Sequence, residues 1–306
     1  MQGLSAAVYE FLEGYVPKED ILKNESMDKH TTFRIGGEAS CFVRISSEQQ
    51  LINLIPYLNR VGIEYFVLGN GSNLLVSDKG YSGVILQIND KFDKIEIEGT
   101  VMKVQSGALL SRTAKCALEH GLTGLEFASG IPGTIGGGVV MNAGAYEGEM
   151  KQVVESVKVL SKSGEILELD NSTMEFGYRT SIIKNRDFTV LEVTLKLKEG
   201  NREEIQSKMN ELNARRRAKQ PLEFPSAGST FKRPDGYFAG KLIMDAGLRG
   251  YSVGGAKVSE KHCGFVVNAG KATATDVADV IAEVQEKVKN KFGVSLEKEI
   301  IYLGDF

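Results

Sequence analysis

Two glycine-rich runs and three isolated polar side chains are the parts of this 306-residue sequence best suited to chemistry. The first run, Gly69-Asn70-Gly71-Ser72-Asn73, directly follows the apolar Tyr65–Leu68. Its glycines let the backbone turn and present N–H groups, and its Ser and Asn add short hydrogen-bonding side chains. Such a nest suits a phosphate oxygen, and an ordinary tight turn accounts for the same residues equally well. The second run, Ser129-Gly130-Ile131-Pro132-Gly133-Thr134-Ile135-Gly136-Gly137-Gly138, leads into Asn142-Ala143-Gly144-Ala145-Tyr146. Six glycines are entropically costly unless the backbone must approach something closely. No Lys or Arg occurs in this run, so an anion there would be held by backbone N–H dipoles. A packing loop is the plainer alternative.

The three side chains are Arg179, Ser229 and Glu299. Arg179, in Tyr178-Arg179-Thr180-Ser181, can grip a carboxylate through two parallel bonds, although a lone surface Arg is the commoner use. Ser229 lies in Ser226–Pro234, where small residues precede Lys232-Arg233, a composition suited to a phosphate-bearing ligand. No His is near it in sequence, so a triad nucleophile is not indicated. A hydroxyl can still give a proton to a carbanion formed beside it, and a capping serine in a linker fits as well. On strand alternation Glu299 shares a face with Ile301 and Leu303, so its carboxyl would be partly buried and its pKa raised. Glu297 falls on the same face or marks the solvated end of the strand. Arg215-Arg216-Arg217 and Lys219 read as cations favoured at a helix C-terminus. His262, beside Cys263, reads as structural.

Several chemistries lack their residues. There is no P-loop, no H-E-x-x-H and no G-x-S-x-G. Gly69-x-Gly71 and Gly136-x-Gly138 lack the third glycine of a dinucleotide fingerprint, with Leu74 and Met141 in its place. The histidines, His30, His120 and His262, are far apart, and Cys41, Cys116 and Cys263 form no C-x-x-C pair, so neither a zinc site nor a disulfide framework is expected. A reducing, cytoplasmic setting fits. Lys and Arg total 37 against 40 Asp and Glu, a net charge of −3, which argues against nucleic-acid binding. Met1–Gly14 has no basic leader region. The 20-residue uncharged stretch Phe127–Tyr146 has the length of a membrane span, but its glycines and Pro132 leave too little apolar density, so no membrane insertion is expected.

The elements that must position these residues follow from periodicity. Cys41–Ile45, Tyr65–Leu68 and Val84–Ile88 read as strands, and Glu48–Asn59 as a helix with Leu51, Ile52, Ile55 and Leu58 at helical spacing. Strand, helix and strand in that order form a βαβ unit. Lys94–Glu98 and Val101–Gln105 read as a hairpin, Leu109–Glu119 as a helix, and Val154–Leu160, Ile166–Leu169 and Val190–Leu197 as strands. Glu203–Ala218 is a helix stopped by Pro221. A boundary near Gln220–Gly228 separates a C-terminal α+β unit, with a helix that starts near Thr275 and is followed by Gly293, and Ser295–Leu303 as its closing strand. The fold class is α+β in more than one domain. No heptad repeat is evident, so a monomer is expected.

In order, these motifs resemble the bacterial UDP-N-acetylenolpyruvoylglucosamine reductases. The resemblance runs from Thr31-Thr32-Phe33-Arg34-Ile35-Gly36-Gly37 through Gly69–Asn73, Ser129–Gly137, Met141–Ala145, Tyr178–Ser181 and Gly228–Pro234 to Leu296–Leu303. It implies a two-subdomain FAD-binding fold of the vanillyl-alcohol-oxidase (PCMH) type, residues 1–94 and 95–219, and a C-terminal α+β substrate domain, residues 220–306. It implies non-covalent FAD, cradled by Arg34, Gly69, Asn70, Gly71, Ser72, Asn73, Ser129, Gly130, Ile131, Gly133, Thr134, Gly136 and Gly137, with Asn142 along the isoalloxazine. NADPH would be the hydride donor and UDP-N-acetylglucosamine enolpyruvate the acceptor, its enol ether becoming the lactyl ether of UDP-N-acetylmuramate. Arg179 and Glu299 match the residues that stabilise the developing negative charge, and Ser229 matches the proton donor. A protonated Glu299 suits that charge better than a carboxylate. Tyr178, Lys232 and Arg233 would contact substrate. Longer members carry an extra loop with a tyrosine that closes over the substrate; no such insertion lies between Ser181 and Pro221, so this chain resembles the shorter subclass. A sugar or alcohol oxidase on the same fold, or a nucleotide-sugar binding module, are the competing readings.

Overall fold

The computed structural model describes residues 4–306, and the start of the Met1–Gly14 segment lies outside them. The first unit is a four-stranded sheet in the order Ile21–Ser26, Glu38–Ile45, Tyr81–Ile88, Tyr65–Leu68. The last three strands run parallel; Glu38–Ile45 and Tyr81–Ile88 are buried along most of their length, while Tyr65–Leu68 at the edge is half-buried except for Leu68. The helix Glu48–Arg60 is capped by the Ser47 hydroxyl and buries Leu51, Leu54, Ile55 and Leu58 against this sheet. The expected βαβ unit is present with one difference. Tyr81–Ile88 lies between the two strands that the helix connects. Ile21–Ser26 pairs antiparallel at the edge; its charged sequence carries no alternation from which a strand is readable.

The second unit is a five-stranded antiparallel sheet in the order Ile166–Asp170, Val154–Leu160, Thr189–Lys196, Val101–Gln105, Ile95–Glu98. The helices Leu110–Glu119, Ile135–Val140 and Arg202–Lys219 cover it, and Val104, Val157, Val193 and Leu195 form the centre of its core with Ala114, Ile135 and Val139. The uncharged glycine-rich stretch therefore contains one short helix inside this unit. No helix among the described residues is long and apolar enough to cross a membrane.

The third unit packs Ala239–Asp245 and Ala274–Phe292 against a small antiparallel sheet of Ser252–Val253, Ala256–Val258 and Val266–Asn268. Here one expectation is corrected. The closing strand is short, Ile301–Leu303, and it pairs in parallel with Leu74–Val76 of the first unit, not with the C-terminal sheet. Asp78 makes a second tie between these units. Its carboxylate accepts the Ala274 and Thr275 N–H groups at 2.7 and 2.9 Å and the Thr275 hydroxyl at 2.8 Å, capping the long C-terminal helix from outside. Loss of a helix cap costs about 1 kcal/mol. Asp78→Ala should therefore lower the urea midpoint of the C-terminal unit by an amount equivalent to about 1–2 kcal/mol. An unchanged midpoint would show that Thr273 and Asp276, which form their own capping box on this helix, suffice.

Candidate active site

A large cleft of about 1800 Å³ runs between the three units. That exceeds the space a single small ligand needs and suits two bound together. Ten Lys and Arg line it against six Asp and Glu, in a chain whose net charge is −3, so the cleft draws an anionic ligand. Its floor is made by the two glycine-rich runs. Gly71 has φ +59°, and a side chain there would overlap the His30 carbonyl. Asn70 donates to the Pro132 carbonyl at 2.6 Å, and Thr134 caps the short helix by accepting from the Gly137 N–H. The two loops are thus braced against each other, with Ser72 facing Gly133.

The three candidate reacting residues reach this cleft from different units. The segment after Ser229 pairs with the chain before the final strand: Glu299 N–H donates to the Thr230 carbonyl and Lys232 N–H to the Glu297 carbonyl, each at 2.9 Å. That pairing brings the two segments together, and Ser229 and Glu299 both line the cleft. Asn73, at the end of the first glycine run, fixes the same strand. Its amide donates to the Glu299 carbonyl at 3.1 Å and its own carbonyl accepts the Ile301 N–H at 2.9 Å. Arg179 arrives on a tight turn with φ +57°, a left-handed conformation that a non-glycine residue adopts only under constraint. The constraint is visible. Asn142 donates to the Gly177 carbonyl at 3.0 Å, and the buried Ser181 hydroxyl donates to the Val140 carbonyl at 3.0 Å.

Arg179 Nε lies 2.7 Å from Glu299 Oε1, with the two side chains only 24% and 12% exposed. The Nε–H is not aligned along this contact and has no hydrogen-bond acceptor, so the pair is held by charge more than by a directed bond. Burial raises the Glu299 pKa, and the neighbouring Arg179 and Lys232 oppose that rise without reversing it. Glu299 is partly buried as expected from the alternating face, though it lies just before the strand Ile301–Leu303 and not within it. Glu297, its neighbour on that face, is the solvated end and pairs with Lys232.

Of the remaining residues expected at the site, Arg34, Gly69, Asn70, Gly71, Ser72, Asn73, Ile131, Gly133, Thr134, Gly136, Gly137 and Lys232 line the cleft. Ser129, Gly130 and Asn142 do not. The Ser129 hydroxyl donates to the Glu126 carbonyl and accepts from Asn213. Gly130 packs on Asn213 and Arg216. Asn142 is 2% exposed and spends its amide on Glu149, Gly177 and the Lys151 N–H. These three brace the walls from behind. Tyr178 and Arg233 also stand outside the cleft wall, joined by the Arg233 N–H donating to the Tyr178 hydroxyl at 3.1 Å. Sequence reasoning missed Ser106, Arg216 and Gln220, which line the cleft. Ser106 sits in an unremarkable turn, and the other two looked like part of a charged helix end.

The residues present fit FAD. The floor has backbone cradles open to the cleft, and the buried Ser106 hydroxyl beside Gly136 has no partner in the protein. The glycines are not equivalent as tests. A Cβ on Gly136 would lie 2.8 Å from Ser106 Cβ, so a larger residue there disturbs the fold itself. A Cβ on Gly133 meets nothing closer than the Ser72 hydroxyl at 3.5 Å, so its side chain would project into the cleft. Gly133→Val should fold with a normal far-ultraviolet spectrum and purify nearly free of flavin. Full flavin content in that variant would remove the second glycine run from the cradle.

Comparison with known proteins agrees with this geometry. Residues 220–303 match the family model for the UDP-N-acetylenolpyruvoylglucosamine reductase C-terminal domain, and residues 39–170 match an FAD binding domain. A UDP-N-acetylenolpyruvoylglucosamine reductase of Caldanaerobacter subterraneus subsp. tengcongensis is 56% identical over 92% of this chain and 93% of its own length. One from Clostridioides difficile is 52% identical over 97% of this chain and 98% of its own. The crystal structure of the Thermus caldophilus enzyme superposes with a TM-score of 0.80 at 35% identity, covering 92% of this chain and 98% of that one. An alkyldihydroxyacetonephosphate synthase, at TM-score 0.50 and 12% identity over 64% of this chain and 41% of its own, shares the fold over that part of the chain alone. With identity above one half maintained over nearly the full length of both chains, this protein belongs to the UDP-N-acetylenolpyruvoylglucosamine reductase family.

Proposed function

We propose that this protein is an NADPH-dependent flavoenzyme that reduces the enolpyruvyl ether of UDP-N-acetylglucosamine enolpyruvate to UDP-N-acetylmuramate, a step in making peptidoglycan precursors. The observation that carries this reading is the convergence of Arg179, Ser229 and Glu299 on one cationic cleft beside the glycine cradle. Residues 1–94 and 95–219 build the two sides of the FAD site. Residues 220–306 cover the substrate, with the last strand lent back to the first unit.

Bound FAD supplies the two-electron relay between NADPH and the enolpyruvyl double bond. The chain supplies the rest. Arg179 binds the substrate carboxylate next to the reacting carbon, where a guanidinium is most effective against developing negative charge. Burial raises the Glu299 pKa, and in its protonated form Glu299 donates a hydrogen bond to the same charge. Ser229 gives its hydroxyl proton to the carbanion-like carbon. A serine hydroxyl is a weak acid, so this role needs the carbon held close to it and a very basic intermediate. Lys232 meets substrate charge at the cleft mouth. Neither glycine run contains His or Cys, and His30 on the cleft wall is turned toward Glu25 at 3.0 Å, in keeping with flavin held without a covalent bond.

The test is product stoichiometry. Incubation with NADPH and the enolpyruvyl UDP-sugar should consume one NADPH per sugar. The product should be heavier by two hydrogens, at least one of them from solvent when the reaction is run in deuterium oxide. Consumption of NADPH that tracks oxygen and leaves the sugar unchanged would favour the oxidase reading.

A further inference from the structure

Two polar side chains at the end of the helix Arg202–Lys219 have no part in the reading above, yet both line the cleft. Arg216 is half-buried, and burial pulls its guanidinium below the usual value; among the described residues the Tyr146 phenol is the one titratable group acting on it. Arg215 and Arg217 behave as the helix-end cations expected from the sequence, exposed to water, with Arg215 lying over the Tyr146 ring at 4.6 Å. Arg216 does not. It packs where a Cβ on Gly130 would come within 3.1 Å of its Cδ, beside the loop that leads into the second glycine run. Gln220 follows one turn later, its N–H donating to the Arg216 carbonyl at 2.9 Å. Its side-chain Oε1 is buried and has no donor in the protein.

Each feature is expensive alone. A buried amide oxygen without a donor costs about 1–3 kcal/mol, and a half-buried guanidinium without an anion adds to that. Together they are complementary to something specific. A free phosphate would satisfy Arg216 but would be repelled by the Gln220 oxygen. A ligand edge with an acceptor next to a donor satisfies both, and the O=C–N–H edge of a cyclic imide has that pattern. Residues one helical turn apart face the same side and can converge on such an edge.

We propose that Arg216 and Gln220 form a clamp for an imide edge, Arg216 donating to a ring carbonyl oxygen and Gln220 accepting from the ring N–H. This assignment rests on the function proposed above, because that reading brings imide rings to the cleft. The flavin pyrimidine ring and the uracil of the UDP-sugar share this chemistry. Position favours the flavin: Arg216 packs beside Gly130, at the entry to the second glycine run, and Gln220 shares the cleft wall with Ser226 and Ser229.

The test compares ligands that differ only in the imide hydrogen. The full-length protein, stripped of flavin, is titrated with FAD and with N3-methyl-FAD, and separately with UDP and N3-methyl-UDP, for wild type and for Gln220→Leu. Wild type should prefer FAD over its methylated form by about tenfold, the worth of one buried hydrogen bond, and Gln220→Leu should abolish that preference. Arg216→Met should weaken FAD binding and make the bound flavin harder to reduce, because reduction adds negative charge to this ring, and Arg216→Lys should recover part of both effects. Matching thermal melts separate these effects from misfolding. If discrimination appears for UDP and not for FAD, and is lost in Gln220→Leu, the clamp stands with uracil as its ligand. If neither methyl group matters in wild type, or Gln220→Leu leaves both preferences intact, the clamp is wrong while the proposed function survives. A wild-type protein that takes up no FAD at all would overturn the proposed function and the clamp with it.

Discussion

Ser229→Ala is expected to leave reduction of bound flavin by NADPH at its normal rate and to slow reoxidation by the enolpyruvyl sugar by about 10²–10⁴-fold, the range for removal of a general acid. The asymmetry is the informative part. Ser229 sits on the cleft wall without bracing any element: its neighbours Thr230 and Lys232 carry the backbone bonds that hold this segment to residues 297–299. Losing one hydroxyl therefore removes a proton donor and little else. Rapid-mixing absorbance at the flavin band separates the two half-reactions. Normal reoxidation in the variant would exclude Ser229 as the donor, and equal loss in both half-reactions would point to a distorted site.

Glu299→Gln should retain flavin and lower turnover with the sugar by about 10²–10³-fold, the usual loss when one donor to a developing oxyanion is weakened. The amide fills the same space and still offers an N–H, but it is a far poorer acid than a buried carboxyl. The pH dependence supplies a second readout. Because burial raises the Glu299 pKa, the group keeps its proton to higher pH than a solvated glutamate does. The sugar half-reaction should be fastest below that raised value and should lose rate as pH rises through it. Gln cannot titrate, so the variant's profile should lack this limb. Unchanged turnover, or an unchanged limb, would contradict the role given to Glu299.

The periodic parts of the fold were readable in the sequence. Leu51, Ile55 and Leu58 recur at helical spacing because one face of that helix meets the sheet, and all three are buried. The hairpin of Ile95–Glu98 and Val101–Gln105 follows from alternation on either side of Gly99, whose φ of +57° suits the turn. What escaped depended on contacts between residues far apart in the chain. Nothing local in Ile301–Leu303 says that it pairs with Leu74–Val76 rather than with its own domain. The site divides in the same way. Glu299 was legible as a partly buried carboxyl, although it precedes the strand Ile301–Leu303 and its burial comes from the pairing with Thr230 and Arg179. Asn142 came from the family resemblance alone, and no local pattern shows that its side chain holds the Arg179 turn in place. Arg216 and Gln220 gave no signal, since a buried cation and a solvated one look alike at the end of a charged helix.

The most direct test of the central claim is an anaerobic absorbance spectrum of the purified protein, taken before NADPH, after one equivalent, and again after one equivalent of the enolpyruvyl UDP-sugar. The flavin bands should bleach with NADPH and return in full with the sugar. Bands that bleach and return only when oxygen is admitted, or a colourless protein that FAD cannot reconstitute, would contradict it.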